Sequence, residues 1–275
     1  MIMRKDIVYS WIAILATGLL AGVVGLIGQI HAPAVVCKHY RFDKVVYLTP
    51  ERQDSLVMSF DYTVPCALSH GAAPYCKLAR AICSTVLGDA FVDMKPQQAL
   101  EAYAALKHTE YVQENLPLMQ EWEMDNPDSK HGVMFCQEML FHAAPISAGR
   151  GIWSYGIDIY EYTGGAHGNN YLLIQNYDLD TEERITEEDL FQEGYFEPLH
   201  TLLVSTLIAQ TEEASTEREL KKMGYSIEDI VPNDNFFVSA DGITYVYNAY
   251  EIAPYAMGRT YIFLGWDSIQ GLLAD

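Results

Sequence analysis

The sequence predicts a mixed α+β fold in which an N-terminal membrane or signal helix precedes two small domains with antiparallel sheets. Segments with strand-like alternation and segments with helical spacing are interspersed along the chain, without the regular βαβ alternation of a doubly wound fold. Half of the 275 residues are hydrophobic, which supplies a packed core and excludes a wholly disordered chain.

The N-terminus predicts a membrane-spanning helix. Residues 7–30 contain no charged residue and follow Arg4 and Lys5, which favour a cytoplasmic N-terminus. The segment is long enough for a hydrocarbon core that needs about 20 helical residues. We therefore expect a signal anchor in the cytoplasmic membrane with the bulk of the chain extracytoplasmic (periplasmic). The Ala-x-Ala pattern at 32–34 keeps cleavage open, and a cleaved chain would be secreted.

The predicted organisation has five parts. They are a cytoplasmic stub (1–6), the membrane or signal helix (7–30), a tether (31–39), a first domain (40–165) and a second domain (166–275). In the first domain, the alternation over 57–64 predicts a half-buried strand. A helix follows with apolar residues from Tyr75 to Val86 and Gly88 as its C-cap. A longer helix begins near Pro96, and Pro117 should end or kink it.

The next stretch of the chain predicts strands. Residues 134–142 and 153–162 should pair through a connection over 145–151, and in the second of them Trp153, Tyr155, Ile157 and Ile159 share a face. Residues 171–177 form the following strand, which ends in a turn at 180–183.

The C-terminal part combines helices with a hairpin. Thr186 is a helix cap followed by acidic residues, and Pro198 opens another helix. Asp241-Gly242 predicts a hairpin between 236–238 and 244–247. A last strand over 260–264 precedes a short helix.

The charge balance restricts the class of partner. There are 17 basic and 37 acidic residues, for a net charge of −20. Such a surface repels nucleic acid and attracts a cationic partner. The alternative is that the acidity only keeps the protein soluble.

Five cysteines, Cys37, Cys66, Cys76, Cys83 and Cys136, leave at least one without an intrachain partner. Cys76 and Cys83 lie two helical turns apart, roughly 10 Å, too far for a disulfide. Cys66 could pair with either of them. The absence of a Cys-x-x-Cys pair gives a zinc ribbon no support.

The loop from Tyr162 to Gly168 is the first candidate site. Gly164 and Gly165 supply positive φ for a sharp connection, and His167 beside them could be a metal ligand or a general base. The other histidines are dispersed, so we predict a structural or partner-contacting role for His167 and no metal site.

The second candidate site is the tyrosine-rich segment 247–258, with Tyr250, Glu251 and Tyr255. Tyrosines are enriched at binding surfaces. The alternative is that these tyrosines pack a core edge while Glu251 caps a turn. The standard nucleophile, zinc-protease and phosphate-loop motifs are missing, so we predict no catalytic residue and no cofactor.

The two segments also carry a family resemblance. Tyr162-Thr163-Gly164-Gly165-Ala166-His167-Gly168 resembles the junction of two tandem domains of unknown function, DUF4163 and DUF3298. The run from Tyr250 to Gly258 resembles the signature of the second. The pair is similar to the extracytoplasmic region of RsiV-like anti-sigma factors and to the non-catalytic N-terminal region of PdaC-type peptidoglycan deacetylases.

This resemblance implies a non-enzymatic, membrane-tethered binding or sensor region. The ligand it implies is a lysozyme-like cationic protein or a cell-wall glycan such as peptidoglycan. The residues before Ile7 are too few for a sigma-binding segment, and we expect no deacetylase domain. The alternatives are a deacetylase accessory protein, a cell-wall hydrolase with an acid pair drawn from positions such as Asp158 or Glu161, and a structural module of the envelope.

Overall fold

Nine strands and six helices make up the described part of the chain. The computed structural model describes residues 35–50, 54–68, 77–128 and 132–274. Residues from Pro33 to Asp275 form one compact unit. Among the described residues, no helix has both the length and the apolar character that a membrane crossing requires. The predicted membrane segment, residues 7–30, lies outside the described residues.

The fold is mixed α+β with mostly antiparallel strand pairs, as the sequence predicts. The strands are β1 (Val35–Tyr47), β2 (Ser55–Leu68), β3 (Gln137–Gly149), β4 (Ile152–Tyr162), β5 (Asn169–Asp178), β6 (Arg184–Ile185), β7 (Phe236–Val238), β8 (Gly242–Tyr247) and β9 (Thr260–Gly265). The helices are α1 (Lys77–Leu87), α2 (Pro96–Asp125), α3 (Glu187–Leu190), α4 (Phe196–Gln210), α5 (Glu217–Met223) and α6 (Trp266–Ile269).

Six strands form the larger sheet in the order β1-β2-β3-β4-β5-β6. All neighbours are antiparallel except β2 and β3, which run parallel. A parallel pair needs a long crossover, and α1 and α2 supply it between these two strands.

The predicted tether is wrong over residues 35–39, which form the first part of β1. Residues 35–39 pair with the last part of β2, from Leu68 to Thr63, and beyond them Tyr40 and Phe42 lie opposite Tyr62 and Phe60. The strand was missed because its exposed polar residues hide its alternation, which becomes evident only when β2 supplies the partner.

One face of the larger sheet is apolar and contacts the crossover helices. Phe60 of β2 stacks on Phe141 of β3 at a centroid distance of 4.6 Å and meets Tyr103 of α2 edge-on. Tyr155 and Ile157 of β4 are buried on this face. Both predicted alternations, over 57–64 and over 153–162, are therefore confirmed.

The end of α1 and the start of α2 lie where the sequence predicts. Gly88 follows α1 with φ of 104°, and Pro96 is the first residue of α2. Pro117, however, does not end α2, which continues to Asp125. Pro117 is exposed, and buried Met119 beyond it keeps the last turns of the helix packed.

The β3–β4 connection is shorter than predicted. The turn consists of Arg150 and Gly151, and Pro145 lies inside β3 beside a bulge. β2 pairs with β3 only as far as Ala143, so Pro145 faces no ladder on that side. A proline is tolerated there because it has no N–H to donate.

The C-terminal elements follow the predicted signals closely. Thr186 and Asp189 form a capping box at α3. Asp241-Gly242 connects β7 to β8 as a hairpin, and β9 completes a three-stranded sheet, β7-β8-β9. Helix α4 starts two residues before Pro198, and α5 was not predicted.

The smaller sheet has an apolar core of its own and also contacts the larger sheet. Phe236, Tyr245 and Ile262 are fully buried in its core, together with residues of α4 and α5. On its other face, Val246 packs against Leu172 and Ile174 of β5. The domain boundary predicted at 165/166 lies in the loop between β4 and β5, and the two-domain division stays a prediction.

One of the two disulfide alternatives is not formed. Cys66 and Cys83 both carry free thiols, and the Cys83 thiol lies buried beside the Tyr62 hydroxyl, where burial raises its pKa. Cys76 lies outside the described residues.

Candidate functional site: an aromatic cluster between two segments

The first predicted site, the loop between β4 and β5, has the backbone that its glycines suggested. Gly164 and Gly165 have φ of 87° and 116°, in the region that L side chains avoid. A Cβ at Gly164 would overlap the carbonyl oxygen of Met134, whereas Gly165 has open space around it. The Tyr162 hydroxyl donates to the Gly165 carbonyl at 3.0 Å and closes the loop.

The second predicted site, residues 247–258, falls almost entirely in the tight connection between β8 and β9. The Glu251 carboxylate accepts bonds from the backbone N–H of Asn248 at 2.8 Å and from its side-chain amide at 3.1 Å. Glu251 thus caps a turn, which was the alternative role that the sequence left open. Tyr250 within this turn has φ of 72°, a strained value for a residue with a side chain.

The structure brings the two segments together in an aromatic cluster, which comprises His167, Tyr250 and Tyr255. The His167 ring stacks on Tyr255 at 4.4 Å between centroids and an interplanar angle of 23°. Tyr255 in turn contacts Tyr250 at 5.4 Å. The Tyr255 hydroxyl donates to the carbonyl of Gly168 at 2.9 Å and fixes one segment to the other.

The cluster presents its rings to solvent. The exposed fraction of Tyr250 is 62%, His167 is exposed, and Tyr255 is half-buried beneath them. An exposed tyrosine at a positive φ is unusual, because glycine and asparagine adopt this backbone conformation with less strain.

An asparagine amide fixes the second segment to β5. The Asn248 oxygen accepts the N–H of Leu172 at 2.7 Å, and its amide donates to the Leu172 carbonyl at 3.2 Å. Asn235 makes the same kind of contact further along β5. Its side-chain oxygen accepts the N–H of Ile174 at 2.8 Å, and its amide donates to the carbonyl of Leu172 at 2.9 Å. β6 pairs with only a short part of β5. Along the rest of that edge, these two side-chain amides bond to the β5 backbone in place of a neighbouring strand.

A buried ion pair lies at the end of the second segment. The Arg259 guanidinium donates to both oxygens of Asp158 in β4, one of the bonds measuring 3.0 Å, and also to the side chain of Asn170 in β5. Only 4% of the Asp158 side chain is exposed. The contact joins the segment to the middle of the larger sheet.

The acid pair considered for a hydrolase is not assembled from Asp158 and Glu161. They lie three positions apart in β4, so their side chains project from opposite faces of the sheet. Asp158 faces Arg259, whereas Glu161 lies on the helix side near Tyr103 and Lys107. A glycosidase needs its two carboxylates across one cleft, roughly 5–10 Å apart.

Titratable groups also line the face of the larger sheet that bears Asp158. Asp61, His142 and Asp158 lie side by side on β2, β3 and β4. The Asp61 carboxylate is 3.6 Å from Nδ1 of His142 and 3.2 Å from Nδ1 of His39. The Asp61 carboxylate raises the pKa of His142, and although burial raises the pKa of Asp61, His142 and His39 lower it on balance.

Metal binding gains no support from these groups. Within the described ranges, no three His, Cys, Asp or Glu side chains are arranged to hold a metal ion. His167 stacks on Tyr255, and its Nδ1 lies 3.1 Å from the Gly168 carbonyl.

Sequence reasoning identified both segments but missed the residues that join them. Arg259 follows directly after the predicted signature, and Asn248 begins the segment, yet no local pattern assigns either a partner 76 or 101 residues away. The only signal in the sequence was that Asn248 and Arg259 are polar residues next to the ends of predicted strands.

Comparison with known proteins identifies a domain in the C-terminal part of the chain. The family described as "Protein of unknown function (DUF3298)" matches residues 188–267, from α3 to α6. A DUF3298 domain is therefore present, and it contains the second segment with Tyr250 and Tyr255. No curated protein matches the chain.

Two solved structures are similar to the chain over most of its length. A DUF3298 family member from Bacteroides fragilis is 25% identical with a TM-score of 0.78, and the alignment covers 89% of this chain and 95% of that one. A DUF3298 family protein from Pseudomonas aeruginosa PAO1 is 13% identical with a TM-score of 0.55, covering 88% and 95%. The second likeness shows the fold alone. The RsiV-like relationship, the DUF4163 domain and the deacetylase link stay predictions.

Proposed function

We propose that this chain is a non-enzymatic binding protein that captures a cationic protein of the lysozyme kind on the aromatic cluster. One observation carries the proposal: His167 and Tyr255, far apart in the sequence, stack on each other and support the exposed ring of Tyr250. Tyrosine rings held in place by their neighbours provide contact area at a low entropic cost, which is typical of binding surfaces.

The charge of the chain favours a basic ligand. The net charge of −20 steers a cationic partner toward the surface and slows the approach of an acidic one. Arg and Lys side chains also bind over tyrosine faces, where each contact contributes roughly 0.5–1 kcal/mol at an exposed site. Glu251, exposed and adjacent to Tyr250, adds a negative charge beside the rings.

The chemistry of the site supports binding over catalysis. The carboxylates of Asp158 and Glu251 are engaged by Arg259 and Asn248, and His167 is stacked. A general acid or base must exchange a proton with its substrate, and these three side chains already contact other groups of the protein. The proposal includes the predicted membrane anchor, which would hold the binding surface outside the cytoplasm.

The test is a titration of the purified full chain with lysozyme at low and moderate salt, read by calorimetry. We expect saturable binding that weakens as salt increases, because charge steering is screened. Replacing Tyr250 by Ser should weaken binding by about tenfold or more if the ring is a central contact. Phe196→Ser is the matched control, since Phe196 is another exposed aromatic residue, in α4 outside the cluster.

Three results would change the assignment. Absence of lysozyme binding at both salt concentrations would overturn the cationic-protein ligand. Sedimentation with insoluble peptidoglycan that depends on Tyr250 would instead assign the cluster to a cell-wall glycan. Release of new reducing ends from that peptidoglycan by the wild-type chain would revive the hydrolase alternative.

A further inference from the structure

Among the described residues, strand β1 is paired along one edge and open along the other. It lies at the end of the larger sheet and pairs with β2 along its 13 residues. No other described strand pairs with it. An open edge carries a row of backbone N–H and C=O groups that can pair with a further strand.

The side chains of β1 protect this edge only in part. Val36, Val45 and Tyr47 are each about half exposed, at 52%, 50% and 56%. Edge strands are commonly kept short or covered, whereas β1 is long and carries three large apolar residues in contact with solvent. The charged side chains of Lys38 and Lys44 oppose the pairing of a further strand, and their positions determine in which registers such pairing can occur.

We propose that the chain associates with a second copy of itself by antiparallel pairing of β1 with β1, centred on Phe42. In this register, Arg41 of each copy lies opposite Asp43 of the other, which creates two cross-strand ion pairs related by a two-fold axis. Within one chain, Arg41 and Asp43 are already 2.9 Å apart on the same face. The four side chains would form one ring of alternating charge.

The charges of β1 select this register over its neighbours. Centring the pair on Arg41 would place Arg41 opposite itself and Lys38 opposite Lys44, so that like charges oppose each other at these positions, although His39 would lie opposite Asp43. Centring it on Asp43 would oppose the two Asp43 carboxylates. The Phe42-centred register opposes no like charges, and it places Lys44 opposite the ring of Tyr40.

The aromatic residues on the helix-covered face are compatible with this arrangement. The Phe42 ring stacks on Phe60 at 6.0 Å, so its position is fixed before any partner arrives. Two such rings would lie opposite each other at the centre of the interface. The basic residues of β1 outnumber its single acid, which reduces the repulsion between two chains that each carry a charge of −20.

The test is sedimentation equilibrium of the full chain in density-matched detergent over a range of concentrations. We expect a reversible dimer. Arg41→Asp should weaken it by about tenfold, since two attractive pairs become repulsive, and Asp43→Arg should do the same. The double variant Arg41→Asp/Asp43→Arg restores opposite charges across the two-fold axis and should recover wild-type dimerisation.

The control is Arg218→Asp, which changes the net charge of the chain as Arg41→Asp does but lies exposed in α5. It should leave the dimer unchanged. A wild-type chain that stays monomeric overturns the proposal. A dimer that ignores both single substitutions, as association through other residues would give, also overturns it, and so does a double variant no better than the single ones.

Discussion

Arg259 donates to both carboxylate oxygens of Asp158, and this ion pair connects the end of the tyrosine-rich segment to the middle of β4. The two residues are 101 positions apart in the sequence, and the exposed fractions of their side chains are 15% and 4%. The contact ties the DUF3298 domain, which holds the second segment, to the larger sheet, so it bears on both stability and the geometry of the aromatic cluster.

Removing one member of this buried pair should be costly. Arg259→Met leaves the Asp158 carboxylate buried without its cation, and we expect the free energy of unfolding to fall by about 3–5 kcal/mol. Urea denaturation followed by circular dichroism measures the loss. The double variant Arg259→Met/Asp158→Leu replaces the pair by apolar contacts and should recover much of it. A double variant as unstable as the single one would contradict this account.

Asn248 should be a second determinant of stability because it replaces a strand partner for Leu172. Asn248→Ala leaves the backbone N–H of Leu172 without its acceptor, at an expected cost of about 1–3 kcal/mol. Asn169→Ala is the control, since Asn169 is exposed, and its effect should stay within about 0.5 kcal/mol. Equal losses in the two variants would show that the amide bonds contribute nothing specific.

The Asp61–His142 pair should make stability depend on pH. The pKa of His142 is raised above 6.5 by Asp61, so its stabilisation is complete below pH 6.5 and is lost as pH rises through the raised pKa. The pKa of Asp61 is lowered below 3.8 on balance, so its stabilisation is present above pH 3.8 and is lost as pH falls further. Both contributions are present together between these values.

His142→Gln should therefore reduce the stability difference between pH 5.5 and pH 8. The side chains of His142 and Asp61 are 49% and 31% exposed, so solvent screening limits the effect to less than about 1 kcal/mol. Urea unfolding at the two pH values measures it. His39 and Asp158 also face these groups, so Asp61→Asn, which removes the shared carboxylate, is the second arm. An unchanged pH dependence in both variants would refute the assignment.

The two loop glycines should differ in their tolerance of a side chain. Gly164→Ala combines a positive φ with an overlap against the Met134 carbonyl, whereas Gly165→Ala has the positive φ alone. The strain of a left-handed alanine costs about 1–2 kcal/mol in both, and the overlap adds to it only at Gly164. Thermal unfolding of the two variants compares them, and an equal loss would mean that the loop moves away from Met134 without cost.

The sequence predicted those features that a few neighbouring residues decide. The cap at Gly88, the start of α2 at Pro96, the capping box at Thr186 and the hairpin at Asp241-Gly242 all appear where expected. Each depends on backbone dihedrals or on hydrogen bonds that close within one turn, so local residue types are sufficient.

Errors occurred where packing outweighed a local signal. Pro117 was expected to end or kink α2, and the helix does not end there, because the buried residues on both sides of it keep the helix against the sheet. Pro145 did not interrupt β3, because β2 no longer pairs there. The part of β1 predicted as a tether becomes a strand through its pairing with β2. In each case the deciding contact is distant in the sequence.

The sequence by itself determined the element types, the turn chemistry, the acidic charge and the two segments where a site should lie. Only the tertiary structure decided that His167 stacks on Tyr255, that Arg259 neutralises Asp158, and that Asp158 and Glu161 face opposite sides of one sheet. The physical reason is that a loop glycine or a helix cap depends on its immediate neighbours. A stacked ring or an ion pair depends on strand order and register, which the whole chain sets through its cores.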